Sequence, residues 1–381
     1  LTRLQQAHGF LDDDCLQQVA KRHGVPLYRV EGLVEFYPSF RRTPPRRVTI
    51  EVCRDVTCNL ACSDERLQTL TTAVAGRDDV EIHEVSCLGR CDTAPAASLC
   101  DVPIAPYSLA DDEALMELIA RPPALSPPDR RHRQVWKCNP YEHKDAHYAT
   151  VTELAANADA LGDRCIAELQ QSGLSGMGGA GFPTGRKWEA VRHVDGDTKY
   201  VICNADESEP GTFKDRVILE QLPHLVIEGM VLAGLTIGAT QGIVYLRHEY
   251  SPERLVLEQE LETARQRGIL GDNAAGSGQP FNIEIFVSPG GYILGEETAL
   301  LEALEDKRGE PRNKPPYPST HGLWGKPTLI NNVETLALST SIIHFGSTWW
   351  QERGQTGFAG LKFVSISGDV ERPGVYEIPV G

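Results

Sequence analysis

Four cysteines stand in two close pairs, each placed directly after a β-branched run. VTIEVC ends at Cys53, and Cys58 follows; VEIHEVSC at 80–87 ends at Cys87, and Cys91 follows in SCLGRC. Such alternating runs read as strands, so the pairs emerge on two strand-end loops. Four thiolates presented in this way suit a [2Fe–2S] cluster, in which each iron takes two protein sulfurs. Structural zinc favours Cys-x2-Cys pairs, and unliganded thiols are a third reading. Gly89 and the turn at Pro95 suit loops whose N–H groups point at sulfide. Cys62 is near enough to compete as a ligand. The isolated cysteines are Cys15, Cys100, Cys138, Cys165 and Cys203, and Cys203, closing an apolar strand, reads as packing.

The chain has 381 residues, with Lys plus Arg at 37 and Asp plus Glu at 53, a net charge of −16. That length allows two or three domains. The acidic balance argues against nucleic acid as a partner. No run of 18 apolar residues occurs, so no membrane insertion is expected. The opening LTRLQQAHGF shows no signal-peptide pattern. Six of the ten cysteines fall within 53–100, and the long remainder needs no staples. A reducing compartment, the cytoplasm, is the expectation.

Helices are expected over 12–23 and 25–36, followed by a basic, proline-rich connection at 41–47. A helix from about 64 to 74 and a hairpin within 91–110 complete a small α/β unit. Residues 121–141 read as a linker by composition. Beyond about 149, helical segments alternate with the apolar runs KYVIC (199–203), GIVYL (242–246) and IEIFV (283–287). That alternation predicts α/β with a largely parallel sheet. LVIEGMVLAGLTIGA (225–239) predicts a helix buried on most of its surface. Residues 360–381 turn all-β, with a hairpin between Asp369 and Gly374.

GLSGMGGAGFPTGRKW at 173–188 carries six glycines, which let backbone approach a phosphate or a flat ring. It matches neither a P-loop nor a dinucleotide fingerprint. Arg186 and Lys187 beside the glycines favour an anionic ligand over a plain flexible loop. NADESEPGTFKDR (204–216) follows a strand, where parallel sheets place ligands. Its carboxylates suit a divalent metal, sugar hydroxyls, or merely solvent. GGYILGEETALLEALE (290–305) repeats the theme, with a helix starting near Glu296 or Glu297. NNVET (331–335) reads as a helix start capped by Asn331 or Asn332.

Taken together, the strings at 176–188, 204–216, 242–250, 291–318 and 322–335 resemble the flavin-bearing subunit of the complex I family. Residues 1–110, with SCLGRCDTAPA at 86–96, resemble the thioredoxin-like [2Fe–2S] subunit of the same complexes. The resemblance implies an α/β chain. Its parts are N-terminal helices (1–42), a thioredoxin-like [2Fe–2S] domain (43–115) and a linker (116–148). An FMN- and NAD(H)-binding α/β domain (149–355) and an incomplete β-grasp start (356–381) follow. The chain is expected to end ahead of the family's [4Fe–4S] region.

The resemblance implies the cluster ligands Cys53, Cys58, Cys87 and Cys91. It implies FMN held by Gly178, Gly179, Gly181, Lys187, Asn204, Asp206, Glu207, Gly295 and Glu296, with Asn331 and Asn332 on its phosphate side. Tyr292 joins the cofactor-binding set. Phe182, Glu209, Glu297, Lys314 and Tyr317 are implied to line the NAD(H) site, with Glu209 and Glu297 orienting the reacting nicotinamide or ribose. Met177, Ser208 and Leu294 replace the family's usual Arg, Gly and Cys.

Fusion of both modules is similar to the β subunit of NAD-dependent formate dehydrogenase, and the retained N-terminal cysteines favour it. Its implied partners are a molybdenum- or tungsten-containing catalytic subunit with iron–sulfur clusters and a small [2Fe–2S] subunit. The implied reaction is reversible hydride exchange between nicotinamide C4 and flavin N5 during formate oxidation. The diaphorase of an NAD-reducing hydrogenase, or a complex I-like NADH dehydrogenase, is the alternative. A non-catalytic cluster-binding scaffold and a zinc-stabilised module are readings from other classes.

Overall fold

The computed structural model describes residues 1–106, 111–129 and 134–381. Three helices open the chain: α1 (Thr2–His8), α2 (Asp13–His23) and α3 (Leu27–Phe36). Asp12 caps α2 by accepting the Cys15 N–H, and Gly24 ends that helix in the left-handed region. Leu11, Leu16, Val30 and Val34 form a small local core. The end of α3 reaches further. Tyr37 is buried with Leu294, Leu300 and Ile330 of the later unit, and its hydroxyl donates to the Lys307 carbonyl at 2.5 Å.

The second unit comprises β1 (Val48–Cys53), α4 (Val56–Leu60), α5 (Ser63–Ala73), β2 (Val80–Val85), β3 (Ala97–Leu99), β4 (Val102–Ile104) and α6 (Asp112–Ala120). Its sheet order is β2-β1-β3-β4. β1 runs parallel to β2 and antiparallel to β3. Cys100 and Asp101 both take positive φ, the geometry of a two-residue hairpin between β3 and β4. That hairpin lies where the sequence placed one, and residues 107–110 of the expected stretch fall outside the described residues. α6 crosses the domain boundary expected at 115. Leu115 and Ile119 pack with Val48, Ile50 and Leu70, so α6 shares this unit's core.

The third unit begins before the expected position 149. Composition made 116–148 a linker, but Trp136, Cys138 and Tyr141 are buried in the large core. Trp136 donates to Gln221 at 2.9 Å, and the Cys138 N–H donates to Glu377 at 2.8 Å. Proline-rich composition hid these anchors because they sit at the segment's far end.

Helices α7 (Ala149–Ala155), α8 (Ala158–Ser172) and α9 (Thr184–Arg192) precede β5 (Tyr200–Ala205). Then come α10 (Lys214–Gln221), α11 (Pro223–Ile237), β6 (Gln241–Leu246), α12 (Ser251–Gln266) and β7 (Asn282–Val287). The series continues with α13 (Glu297–Leu304), α14 (Pro318–His321), β8 (Thr328–Asn332), α15 (Val333–Phe345) and α16 (Ser347–Gln351). The sheet order is β7-β6-β5-β8, and every pair is parallel. β9 (Leu361–Ile366) and β10 (Gly374–Pro379) form a separate antiparallel pair. Among the described residues no single helix is long and apolar enough to cross a membrane.

α11 is buried along its whole length, as its sequence predicts. Its one carboxylate, Glu228, accepts from the Tyr141 hydroxyl at 2.7 Å and the Val151 N–H at 2.9 Å. Burial pushes this carboxyl up to about 7. Folding therefore takes up a proton at Glu228 between about pH 4.5 and 7, so its contribution to stability is greatest at low pH. That contribution falls by about 3 kcal/mol as pH rises through the window. Glu228→Gln keeps the shape and an oxygen to accept the Val151 N–H, while its amide nitrogen donates to the Tyr141 oxygen in place of accepting from it. Urea melts of this variant are expected to show a flatter dependence on pH between 5 and 8 than the parent; equal slopes would refute the assignment.

Candidate functional site

The four expected cysteines come together. Cys53 ends β1, Cys58 lies in α4, and Cys87 and Cys91 stand on the loop after β2. All four are buried. Cys87 Sγ and Cys91 Sγ are 3.4 Å apart, and Cys53 contacts both Cys58 and Cys87. Two backbone donors point at the sulfurs: Gly89 N–H at Cys87 and Ala96 N–H at Cys58, each at 3.3 Å. Hydrogen bonds from the Cys53 and Cys91 thiols, joined by the Gly89 amide, hold the Cys87 thiol far below a free cysteine. Among the described residues no three His, Cys, Asp or Glu side chains gather about a single metal-sized point. The thiol contacts instead run as a row, Cys58 to Cys53 to Cys87 to Cys91, with N–H groups aimed at two of its sulfurs. A row of two pairs fits two irons, each taking two thiolates, and the amides fit acceptor sulfur. Cys62 is exposed and stands outside this set.

The cleft lies beyond the carboxyl ends of the parallel strands. Two cavities of about 510 and 260 Å³ share Gly178, Asn204, Gly295, Glu296 and Asn332, so they form one continuous groove. Their size falls in the range of about 300–1,000 Å³ usual for cofactor sites. The glycine-rich segment supplies one wall. A Cβ at Gly178 would lie 3.0 Å from the Asn332 Cβ, and one at Gly295 would lie 3.2 Å from the Asp206 carbonyl oxygen. Side chains there would fill the groove or push its walls apart, so glycine is what leaves room for a flat ring.

Polar groups are fixed around this groove. Asn204 donates to the Gly295 carbonyl at 2.8 Å, joining the end of β5 to the loop before α13. Asn332 caps α15 through the Glu334 N–H and donates to Asp215 at 2.5 Å. Asn331 instead accepts from the Trp188 indole at 2.9 Å. Glu296 caps α13, accepting from the Thr298 and Ala299 N–H groups. Lys314 donates to Glu296 and Glu297, and Lys187 to Glu297 and the Ile330 carbonyl. Burial pushes Glu297 up, but Lys187 and Lys314 hold it below its ordinary value. A carboxylate flanked by two cations stays charged and can accept hydrogen bonds from an incoming amide or ribose.

Two other carboxyls behave oppositely. Burial pushes Asp206 up to about 6, although Ser208 and Ser288 donate to it. Burial pushes Glu207 up to about 7, with the Asp215 charge adding to it. Glu209 accepts from the Tyr292 hydroxyl at 2.5 Å across the groove's mouth.

Of the expected binding residues, Gly179, Asp206, Glu207, Glu209 and Tyr292 line the larger cavity. Gly181, Phe182, Lys187, Glu297, Lys314 and Asn331 line the smaller. Tyr317 is exposed, directly precedes α14 and lies outside both walls. Sequence reasoning missed Arg247 and Tyr250 just beyond β6. Arg247 donates to the carbonyls of both Cys87 and Glu207, and Tyr250 donates to Glu207 at 2.9 Å. Two ion pairs clasp the same interface: Arg90–Glu253 at 2.7 Å and Arg216–Asp92 at 2.6 Å.

A thiol row docked against a glycine-walled groove defines a cluster- and flavin-bearing electron-transfer protein. Residues 169–339 match the Nuo51 FMN-binding domain, and residues 1–121 match the thioredoxin-like [2Fe-2S] ferredoxin. The chain belongs to this family, the FMN-binding 51 kDa-type subunit of complex I fused to a thioredoxin-like [2Fe–2S] domain, and FMN and a [2Fe–2S] cluster are its cofactors.

It is 35% identical to the alpha subunit of the NAD-reducing hydrogenase HoxS of Cupriavidus necator, over 99% of this chain and 66% of that protein. It is 49% identical to an NADH-quinone oxidoreductase component of Aquifex aeolicus, over 62% of this chain and 55% of that one. A crystal structure of an NAD+-reducing [NiFe]-hydrogenase in the H2-reduced state matches with a TM-score of 0.86 at 35% identity, covering 100% of this chain and 66% of the other. The chain thus spans between about half and two thirds of these relatives.

Proposed function

We propose that the chain is the NAD(H)-dependent diaphorase unit of a multisubunit NAD-reducing hydrogenase. The formate dehydrogenase expectation gives way here, because a relative that runs beside almost the whole chain is a hydrogenase subunit. A complex I-like NADH dehydrogenase is the second reading, favoured by the higher identity over the FMN-binding region. The observation that carries the diaphorase reading is physical continuity: Arg247 touches the backbone of both a cluster cysteine and a groove residue. Cluster ligation needs Cys53, Cys58, Cys87 and Cys91 reduced, which suits a reducing compartment such as the cytoplasm.

Bound FMN would accept hydride from reduced nicotinamide and release electrons singly. The protein's part is to position and to exclude water. Gly178 and Gly295 admit the ring, Glu297 and Glu209 orient the nicotinamide or its ribose, and Lys187 supplies positive charge. Chain reconstituted anaerobically with FMN, iron and sulfide is expected to lose flavin absorbance on addition of NADH and to reduce ferricyanide. Protein that retains no FMN would overturn the reading. Assaying the complex co-purified from its host separates the assignments. Hydrogen-dependent NAD+ reduction supports the first, and formate-dependent reduction would restore the formate dehydrogenase one.

A further inference from the structure

Arg247 follows the last residue of β6 and is almost wholly buried. Its Nη1 donates to the Glu207 carbonyl at 2.5 Å, on the groove wall, and its Nη2 donates to the Cys87 carbonyl. Its Nε is paired with Glu249 at 3.0 Å. The guanidinium also lies over the Tyr250 ring, 5.4 Å from the centroid. Tyr250 presses on the cluster loop, since a Cβ at Gly89 would meet that ring at 2.6 Å. Gly89 in turn donates to Cys87 Sγ. One fixed cation therefore backs the thiol row and borders the flavin groove. The two carbonyls it joins cannot separate without stranding a buried charge.

We infer that Arg247 is a positioning residue that sets the reduction potential of the [2Fe–2S] cluster relative to the flavin. The inference rests on the cofactor and diaphorase reading above. Reduction adds one electron, hence one negative charge, to the cluster and its thiolates. A buried cation stabilises that added charge and raises the potential. Glu249 opposes it, but the Glu249 side chain is 28% exposed against 4% for Arg247, so water screens the anion more. The Arg247–Glu249 pair therefore contributes a field that favours the reduced cluster, against the Asp55 carboxylate that accepts the Cys87 N–H on the other side.

The test is an EPR-monitored titration of reconstituted full-length protein with dithionite and redox mediators. In Arg247→Gln the cluster is expected to become harder to reduce, with the reduced-to-oxidised ratio at a fixed potential falling about tenfold, equal to about 59 mV for a one-electron couple. Arg247→Lys keeps the charge and is expected to restore most of that shift. Glu249→Gln is expected to move the potential the opposite way. A merely structural role predicts neither the rescue nor the opposite sign. A Gln variant at the parent potential, or a Lys variant shifted as far as the Gln one, overturns the inference. If Arg247→Gln does not hold a cluster, an unmoved potential in Glu249→Gln overturns it. Parent protein lacking FMN and an EPR signal on reduction would instead refute the functional reading.

Discussion

Cys58→Ala is expected to empty the thiol row of iron while the flavin groove stays loaded. Iron should fall from about two atoms per chain to nearly none, because a [2Fe–2S] cluster deprived of one thiolate has an open site. FMN content should remain at the parent level. Cys58 is the informative choice among the four because of where it packs. It sits in a small cluster with Cys53, Leu88 and Ala96, and its sulfur takes the Ala96 N–H. Cys87 and Cys91 belong to the large core shared with the flavin unit, so changing them would disturb both sites. Iron and sulfide analysis beside FMN fluorescence gives the answer. Iron retained at the parent level would show that the ligand set is misassigned.

The largest effect on stability is expected at Gly229, in the middle of α11. A Cβ there would sit 2.3 Å from the Leu336 carbonyl oxygen and 3.1 Å from Thr340 Oγ1, both on α15. These two helices touch through backbone. Thr340 donates to the Leu225 carbonyl at 2.9 Å across the same contact. Neither side has a flexible end that can yield. Gly229→Ala forces the helices apart and is expected to cost about 3 kcal/mol. Gly229→Val adds two more carbons at the same point. Against a total stability of about 5–15 kcal/mol, it is expected to give no soluble, FMN-binding protein. Thermal melts of the alanine variant and the soluble yield of the valine variant check this. A parent-like melt for Gly229→Ala would mean that α11 and α15 are not in such close contact.

Much of the fold is legible in the sequence, for identifiable reasons. Parallel strands buried on both faces are written as apolar runs, so KYVIC, GIVYL and IEIFV each fall on a strand, β5, β6 and β7. The cysteine pairs are legible because each is local and ends a strand. Asn332 is legible as a cap because the Glu334 N–H it satisfies lies two residues on. By contrast β8 escapes notice, since its residues Thr328–Asn332 end in two asparagines and carry only a short apolar run. The anchoring of Trp136 and Tyr141 is hidden by the prolines before them. Arg247 is the hardest case. Its two acceptors lie 40 and 160 residues away in sequence. No period or spacing encodes a contact of that kind, and it exists only once the two units have docked.

The cluster unit is held at both of its ends. Before it, Tyr37 is buried among residues of the flavin unit, and the Ser39 N–H donates to the Pro289 carbonyl. After it, Trp136 and Cys138 are fixed to Gln221 and Glu377. A domain tethered by one flexible arm must find its electron acceptor by diffusion, and its rate then follows solvent viscosity and the length of the arm. Under the proposed function no such search is needed. The gap between the two sites is then a constant of the fold, and the rate of any transfer across it is left to driving force and to the packing between the two centres.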